Sequence, residues 1–230
     1  MEVKEKWPRR LVIVRHGESE QNVAIDLFEK NLPATLEKLK NKKDPDIVLT
    51  NKGISQAKKT GAYLSKTEKF DICFCSPYKR TLQTAKAIIS KLKYRLKIYE
   101  DVRLREKEFG RLHGLSVKDI KRDYPEEYED RNRDGVYWYR ILRGENYPDV
   151  QMRIYSFLEK ISRDWGGKNV LIVTHHVPYV LFNAIFNHLG EKEVIKLGGV
   201  PNCGIQEFNS DFSKSKEGRL KLKYYNKKTY

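Results

Sequence analysis

Short apolar runs separated by longer amphipathic stretches set the pattern of the chain. Leu11–Arg15 (LVIVR), Ile72–Cys75 (ICFC) and Val170–Thr174 (VLIVT) do not alternate apolar with polar positions. Each therefore reads as a strand buried on both faces. Leu96–Val102 is a weaker strand candidate, and Gly204–Asn209 and Arg219–Tyr225 read as two more strands around a polar turn. Between them, Ile54, Ala57, Gly61 and Leu64 mark one helical face, and Leu82, Ala85, Ile88, Ile89 and Leu92 mark another. Ser76-Pro77 before the second face reads as a helix start, with Ser as cap and Pro at the first position. Val150–Ile161 and Tyr179–Leu189 are the other clear helices. Strands alternating with helices predict an α/β fold, a three-layer α/β/α domain with a mostly parallel central sheet. Residues 23–50 and 111–148 are longer and more irregular, and are expected to form a lid or cap inserted into a single domain spanning 1–230.

Composition narrows the class. The 39% hydrophobic and 11% aromatic residues supply a core, which excludes global disorder. No apolar run approaches the ~18–20 residues that span a bilayer. The charged start leads into only a short apolar run, Leu11–Val14, which is too brief for a secretion signal. A soluble, cytoplasmic protein without a membrane partner is expected. Cys73 and Cys75 should share one strand face, and with Cys203 they read as buried small hydrophobes. No second cysteine pair has the spacing of a zinc site or a disulfide framework. The 46 Lys+Arg against 31 Asp+Glu leave a charge of +15, and 30 of the cations are lysine. Spread over Lys38–Lys43, Lys91–Lys97 and the tail from Lys214 to Lys228, that excess reads as a solvated surface; the other uses are steering of anionic small molecules and weak polyanion binding.

Ligands of open α/β sheets bind beyond the carboxyl ends of the strands, and here those ends carry chemistry. The first strand runs into Arg15-His16-Gly17-Glu18-Ser19, the second into Ser76-Pro77-Tyr78-Lys79-Arg80, and the late strand into Thr174-His175-His176. Leu104-Arg105-Glu106 follows the weaker strand. Two histidines, two arginines and a glutamate are thus expected to converge on one pocket. Taken singly, each has an ordinary structural explanation; Arg80, for one, could simply pair with Asp71. Their combination points elsewhere.

Arg15-His16-Gly17-Glu18-Ser19 with Asn22 resembles the first motif of the histidine phosphatase superfamily, also known as the phosphoglycerate mutase-like family. Leu49-Thr50, Gly53, Gln56 and Ala57 are similar to its second element, and Ser76-Pro77, Arg80, Gln83, Thr84 and Ala85 to its third. Glu106, Gly110 and Gly114 resemble its acid loop, Thr174-His175 its second-histidine strand, and Gly144-Glu145, Asp149-Val150 and Arg153 a further stretch. The resemblance covers about residues 10–210. It implies a phosphoglycerate mutase-like fold and phosphoryl transfer through a phosphohistidine on His16, with no metal and no cofactor. In that reading neutral His16 attacks phosphorus, and Arg15 and Arg80 neutralise the phosphate oxygens in fork geometry. A unit charge at 4 Å is worth about 4 kcal/mol at an effective dielectric of 20. Gly17, Asn22, His175 and the backbone N–H of His176 would complete the phosphate site. Glu106 would act as acid and then base, which implies an acidic-to-neutral rate optimum. His113 and His188 match no motif and read as structural or surface residues.

Two departures separate the branches of that family. Cofactor-dependent mutases carry a lysine eleven residues after the acid-loop glutamate, where this chain has Val117. They also carry an adjacent arginine pair, where this chain has Arg133 followed by Asp134, with Arg131 nearby. A metal-independent phosphatase of small phosphorylated metabolites is therefore the expectation. A cofactor-dependent phosphoglycerate mutase, which would need a bisphosphorylated primer, is the alternative. A noncatalytic, basic nucleic-acid-binding protein is the distant one. Arg131, Arg133, Tyr139 and Arg140 in the second insertion are candidates for binding the rest of the substrate.

Overall fold

The computed structural model describes residues 5–29, 42–115, 117–211, 213 and 218–230. Residues 30–41 of the first expected insertion and 214–217 of the basic tail lie outside the described residues. Six strands form one sheet: β1 (Arg10–Arg15), β2 (Ile72–Cys75), β3 (Ile98–Glu100), β4 (Asn169–Thr174), β5 (Ile205–Asp211) and β6 (Arg219–Lys227). Their order is β3-β2-β4-β1-β5-β6. The β3–β2, β2–β4 and β4–β1 pairings are parallel, and β5 and β6 add an antiparallel edge. The sheet is therefore mixed, parallel where the three motif-bearing strands lie.

The helices are α1 (Glu20–Glu29), α2 (Asn51–Leu64), α3 (Lys79–Ile89), α4 (Val117–Asp123), α5 (Pro125–Trp138), α6 (Tyr147–Asp164), α7 (His176–Asn187) and α8 (Glu191–Lys196). Successive strand residues feed two separate cores, as a pleated strand requires. Leu11, Ile13, Ile72, Phe74, Val170 and Ile172 pack against α6 and α7. Val12, Val14, Cys73, Cys75, Leu171 and Val173 face α2 and α3. This is the three-layer α/β/α arrangement, and it explains why these strands lack polar alternation. All three cysteines are buried.

Local sequence sets the helix boundaries. Thr50 caps α2 by accepting the Gly53 N–H, and Asn146 and Asp149 form a reciprocal capping box at α6, with Pro148 in its first turn. The start of α3 differs from the sequence expectation. Ser76-Pro77 does not cap it; the helix begins at Lys79, with Tyr78 in the cap position and no side-chain cap bond. Ser76 is instead held at the end of β2, where its N–H bonds to Val173 of β4.

Two close backbone approaches shape the loop after β1. A Cβ on Gly17 would lie 2.5 Å from the Gly53 carbonyl oxygen, and one on Gly53 would lie 2.0 Å from that of Glu18. Neither contact is with a flexible side chain, so a substitution has to displace main chain. Gly53→Ala is expected to destabilise the fold by about 1–3 kcal/mol, the range for overpacking a tight site. Urea unfolding measures this, and wild-type stability in the variant would contradict the packing argument.

Candidate active site

The carboxyl ends of β1, β2 and β4 meet at one corner of a cavity of about 560 Å³, whose polar lining includes Arg15, His16, Asn22, Arg80, Glu106 and His176. His16 follows β1 directly and donates its backbone N–H to Thr174 of β4 at 2.9 Å. Its Nδ1 lies 2.8 Å from the Gly17 carbonyl. A carbonyl only accepts, so in the neutral ring Nδ1 carries the proton and Nε2 the lone pair. Among the described residues Nε2 has no hydrogen-bond partner.

The loop carrying His16 is tied down by the second and third motifs. Gly17 N–H donates to Thr84 Oγ1 at 3.0 Å, Glu18 N–H to Gln56 Oε1 at 2.9 Å, and Thr50 N–H to the Glu18 carbonyl at 2.9 Å. Gln83 Oε1 accepts the Leu49 N–H. These polar residues act on the histidine's backbone. Gly17 belongs with them: its N–H and C=O are both used inside the protein, so it shapes the loop and offers no donor to the cavity.

Around His16 the charges are buried. Arg80 is 2% exposed, and its Nη1 and Nη2 are taken by the backbone oxygen and carboxylate of Asp44. Arg15 donates to the Val200 carbonyl. His175 is fully buried, with Nε2 2.8 Å from Ser76 Oγ and its ring centroid 5.2 Å from that of His16. Among the described residues three nitrogens here have no hydrogen-bond partner: Arg15 Nε, Arg80 Nε and His175 Nδ1. Leaving buried guanidinium N–H groups unpaired is costly; all three atoms are buried, and the cationic side chains that line this corner for an anion are those of Arg15 and Arg80. Asn22 adds a further polar group to the wall. Its Oδ1 accepts from Ser19 and Asn202, which turns its Nδ2 to the cavity.

Burial holds the His16 pKa well below the usual histidine range, and Arg80 and Arg15 lower it further. Burial does the same to His175, reinforced by Arg80 and His16. His176 is lowered as well, first by burial, against the opposing pull of Glu106. Burial thus favours the neutral imidazoles, and the neighbouring arginines reinforce it.

Glu106 is seated on the first turn of α7. Its Oε2 accepts the His176 N–H at 2.9 Å, and its Oε1 accepts Val177 N–H at 3.1 Å and Lys107 N–H at 2.9 Å. The His176 backbone donor, expected to face phosphate, is therefore used by Glu106; the His176 side chain reaches the cavity instead. Arg153 braces the acid loop by donating to the carbonyls of Arg103 and Glu106, and it pairs with Glu145, which accepts the Glu108 N–H.

The second insertion behaves differently from expectation. Arg131, Arg133, Tyr139 and Arg140 do not line this cavity. Arg133 pairs with Asp130 and Asp134, Arg140 with Asp149, and the Tyr139 hydroxyl bonds Glu127. Acidic residues in or beside the insertion thus engage Arg133, Tyr139 and Arg140 locally. Conversely, His113, assigned to structure or surface, lines the cavity, as do Gln21, Asp44 and Lys118. Nothing in local sequence marks Asp44 as the partner of Arg80, because 36 residues separate them. Among the described residues no group of three or more His, Cys, Asp or Glu is disposed to hold a metal, and no helix is long and apolar enough to cross a membrane.

A profile of the histidine phosphatase superfamily (branch 1) matches residues 11–223. The 2,3-bisphosphoglycerate-dependent phosphoglycerate mutase of Treponema denticola is 29% identical over 234 positions, covering 88% of either chain. Phosphoserine phosphatase 1 of Hydrogenobacter thermophilus is 30% identical over 169 positions, 74% of this chain and 72% of that protein. The crystal structure of mycobacterial glucosyl-3-phosphoglycerate phosphatase with VO3 shares the fold, with a TM-score of 0.72 and 24% identity over 95% of this chain and 99% of that one.

The depressed imidazoles have a consequence for stability. In the unfolded chain each histidine takes up a proton as pH falls through about 6.5, whereas folded His16 and His175 stay neutral to well below that. Between about pH 6.5 and 5 the unfolded state binds more protons, so stability falls as pH falls. Each such histidine contributes a slope on the order of 1.4 kcal/mol per pH unit. The carboxylates held low, such as Glu145 and Glu207, titrate below this window. Urea unfolding at pH 7.5 and 5.5 measures the effect, and because His176 is lowered as well, His16→Asn is expected to remove about a third of the slope. A pH-independent stability across this window would contradict the neutral assignment.

Proposed function

The chain belongs to branch 1 of the histidine phosphatase superfamily, and from that premise we propose that it hydrolyses phosphate monoesters through a phosphohistidine on His16, without a metal. The observation that carries this reading is the seat of His16: buried, with Nδ1 pinned by the Gly17 carbonyl and, among the described residues, no partner on Nε2, on the same cavity wall as Arg15 and Arg80.

In this mechanism the Nε2 lone pair forms a bond to phosphorus as the bond from phosphorus to the ester oxygen breaks. Arg15, Arg80, Asn22 and His175 stabilise the equatorial oxygens, most strongly where charge develops. Asp44 yields the Arg80 Nη groups to the phosphate, so substrate binding exchanges one anionic partner for another. Glu106 gives a proton to the leaving alkoxide. Its carboxylate then takes a proton from the water that attacks the phosphohistidine, releasing inorganic phosphate and neutral His16. The backbone donors that fix Glu106 also fix its distance from the ester oxygen, the condition for a positioned acid.

Hydrolysis is favoured over mutase chemistry by what surrounds the phosphate corner. The position where mutases carry lysine is Val117, and Arg133 is engaged by two aspartates away from the cavity. A second hydroxyl acceptor bearing a carboxylate thus lacks the cation pair that would orient it. The small phosphorylated metabolite expected as substrate, and a cytoplasmic location, accord with the same reading.

Release of inorganic phosphate from an aryl phosphate in EDTA tests it. Wild type is expected to turn over, His16→Ala to lose activity by at least about 10³-fold, and Arg80→Ala by about 10²–10³-fold. Turnover that survives His16→Ala, or that requires an added metal, would overturn the proposal. Phosphoglycerate interconversion without net phosphate release would favour the mutase.

A further inference from the structure

Away from the phosphate corner the cavity changes character. Ile25, Ile47, Phe109, Leu112, Leu115 and Val117 form its outer walls. Three of them are exposed although large and apolar: Ile25 46%, Val117 56% and Phe109 36%. They come from α1 on one side and from the acid loop and the start of α4 on the other, and line the same cavity. Apolar residues that converge on a concave site and stay uncovered mark a surface meant to be covered by ligand.

The charges agree with the walls. Among the described residues, the charged side chains facing the cavity beyond the two arginines of the corner are Asp44, Glu106 and Lys118. Asp44 is paired with Arg80 at the phosphate corner and Glu106 is seated on the first turn of α7 beside it. Lys118 is then the one charged side chain among the described residues of the outer wall, which is otherwise chiefly apolar. A cavity of about 560 Å³ also greatly exceeds a three-carbon phosphate ester, within the range of pockets that enclose molecules of some tens of heavy atoms.

We infer that the preferred substrates are phosphate monoesters whose leaving alcohol is an extended apolar group, alkyl or aromatic, lodged between Ile25 and Val117 with the phosphate at His16. This rests on the hydrolase reading above and specifies its substrate class. The alcohol's apolar body leaves water on binding, and the oxygen next to phosphorus stays within reach of Glu106.

A series of unbranched alkyl phosphates from ethyl to hexyl tests the inference, because their leaving-group basicity is nearly constant and differences report binding. In wild type kcat/KM is expected to rise about fourfold per added methylene, equivalent to ~0.8 kcal/mol for each CH2 removed from water. Hexyl phosphate should exceed glycerol 3-phosphate and 3-phosphoglycerate by at least about tenfold. Val117→Asp and Ile25→Asp, both at exposed positions, should flatten the series. Met152→Asp, at a 68% exposed position on α6 outside the cavity, should leave it intact. A flat series, or faster turnover of the polar esters, overturns this inference while the hydrolase reading stands. A rising series that survives both wall substitutions overturns the assignment of the wall. Failure of every ester with folded wild type overturns the hydrolase reading, and this inference with it.

Discussion

Two guanidinium groups and two imidazoles crowded into one corner constrain everything else in this molecule. Arg80 is buried with its charge and needs an anion beside it. Inside the protein that anion is Asp44, which takes both Nη groups of Arg80, while half-buried Arg15 donates to the Val200 carbonyl. Among the described residues Arg15 Nε, Arg80 Nε and His175 Nδ1 have no partner, and Arg15 and Arg80 both line the cavity, which suits this corner to an anion that brings several oxygens. Phosphate fits that need, and burial, reinforced by the two arginines, favours the neutral form of His16 that can act as a nucleophile. The cations that would bind the anion thus also help to keep the imidazole ready.

The rest of the fold keeps that crowded corner from relaxing. Parallel pairing of β1 with β4 brings His16 and His175 to the same sheet edge, and β2 adds Ser76, which occupies His175 Nε2. The Gly17–Gly53 approach presses the histidine loop onto α2, while Thr84 and Gln56 consume its backbone donors. On the opposite wall Glu106 is fastened to α7 by main-chain donors and braced from behind by Arg153 and Glu145. The acid and the nucleophile are therefore placed by separate elements that share the same strand ends.

Much of this was legible in the sequence, for identifiable reasons. Strands buried on both faces lose their polar alternation, so LVIVR, ICFC and VLIVT announced the three-layer fold and put Arg15, His16 and His175 at strand ends. The ordered motifs pointed to the same corner, and the structure gives several of them a mechanical meaning: Thr50, Gly53, Gln56, Gln83 and Thr84 hold a loop. What the sequence hid depends on contacts between distant segments. Ser76 looked like a helix cap but turns to His175, 99 residues away. Asp44 gave no sign that it would meet Arg80. His113 matched no motif yet lines the cavity. Arg133 and Arg140 looked like ligands for a substrate because composition shows their charge but not the aspartates that neutralise them.

The central claim is that phosphoryl transfer passes through Nε2 of His16. Rapid mixing with substrate, quenching in alkali within the first turnover and examining the protein by 31P NMR and peptide mass spectrometry tests it directly. The account requires a phosphoramidate resonance stable to base and lost in acid, mapped to His16 as the Nε2 isomer. Phosphate found on another residue, or first-turnover product release with no phosphorylated protein at any time point, would contradict it.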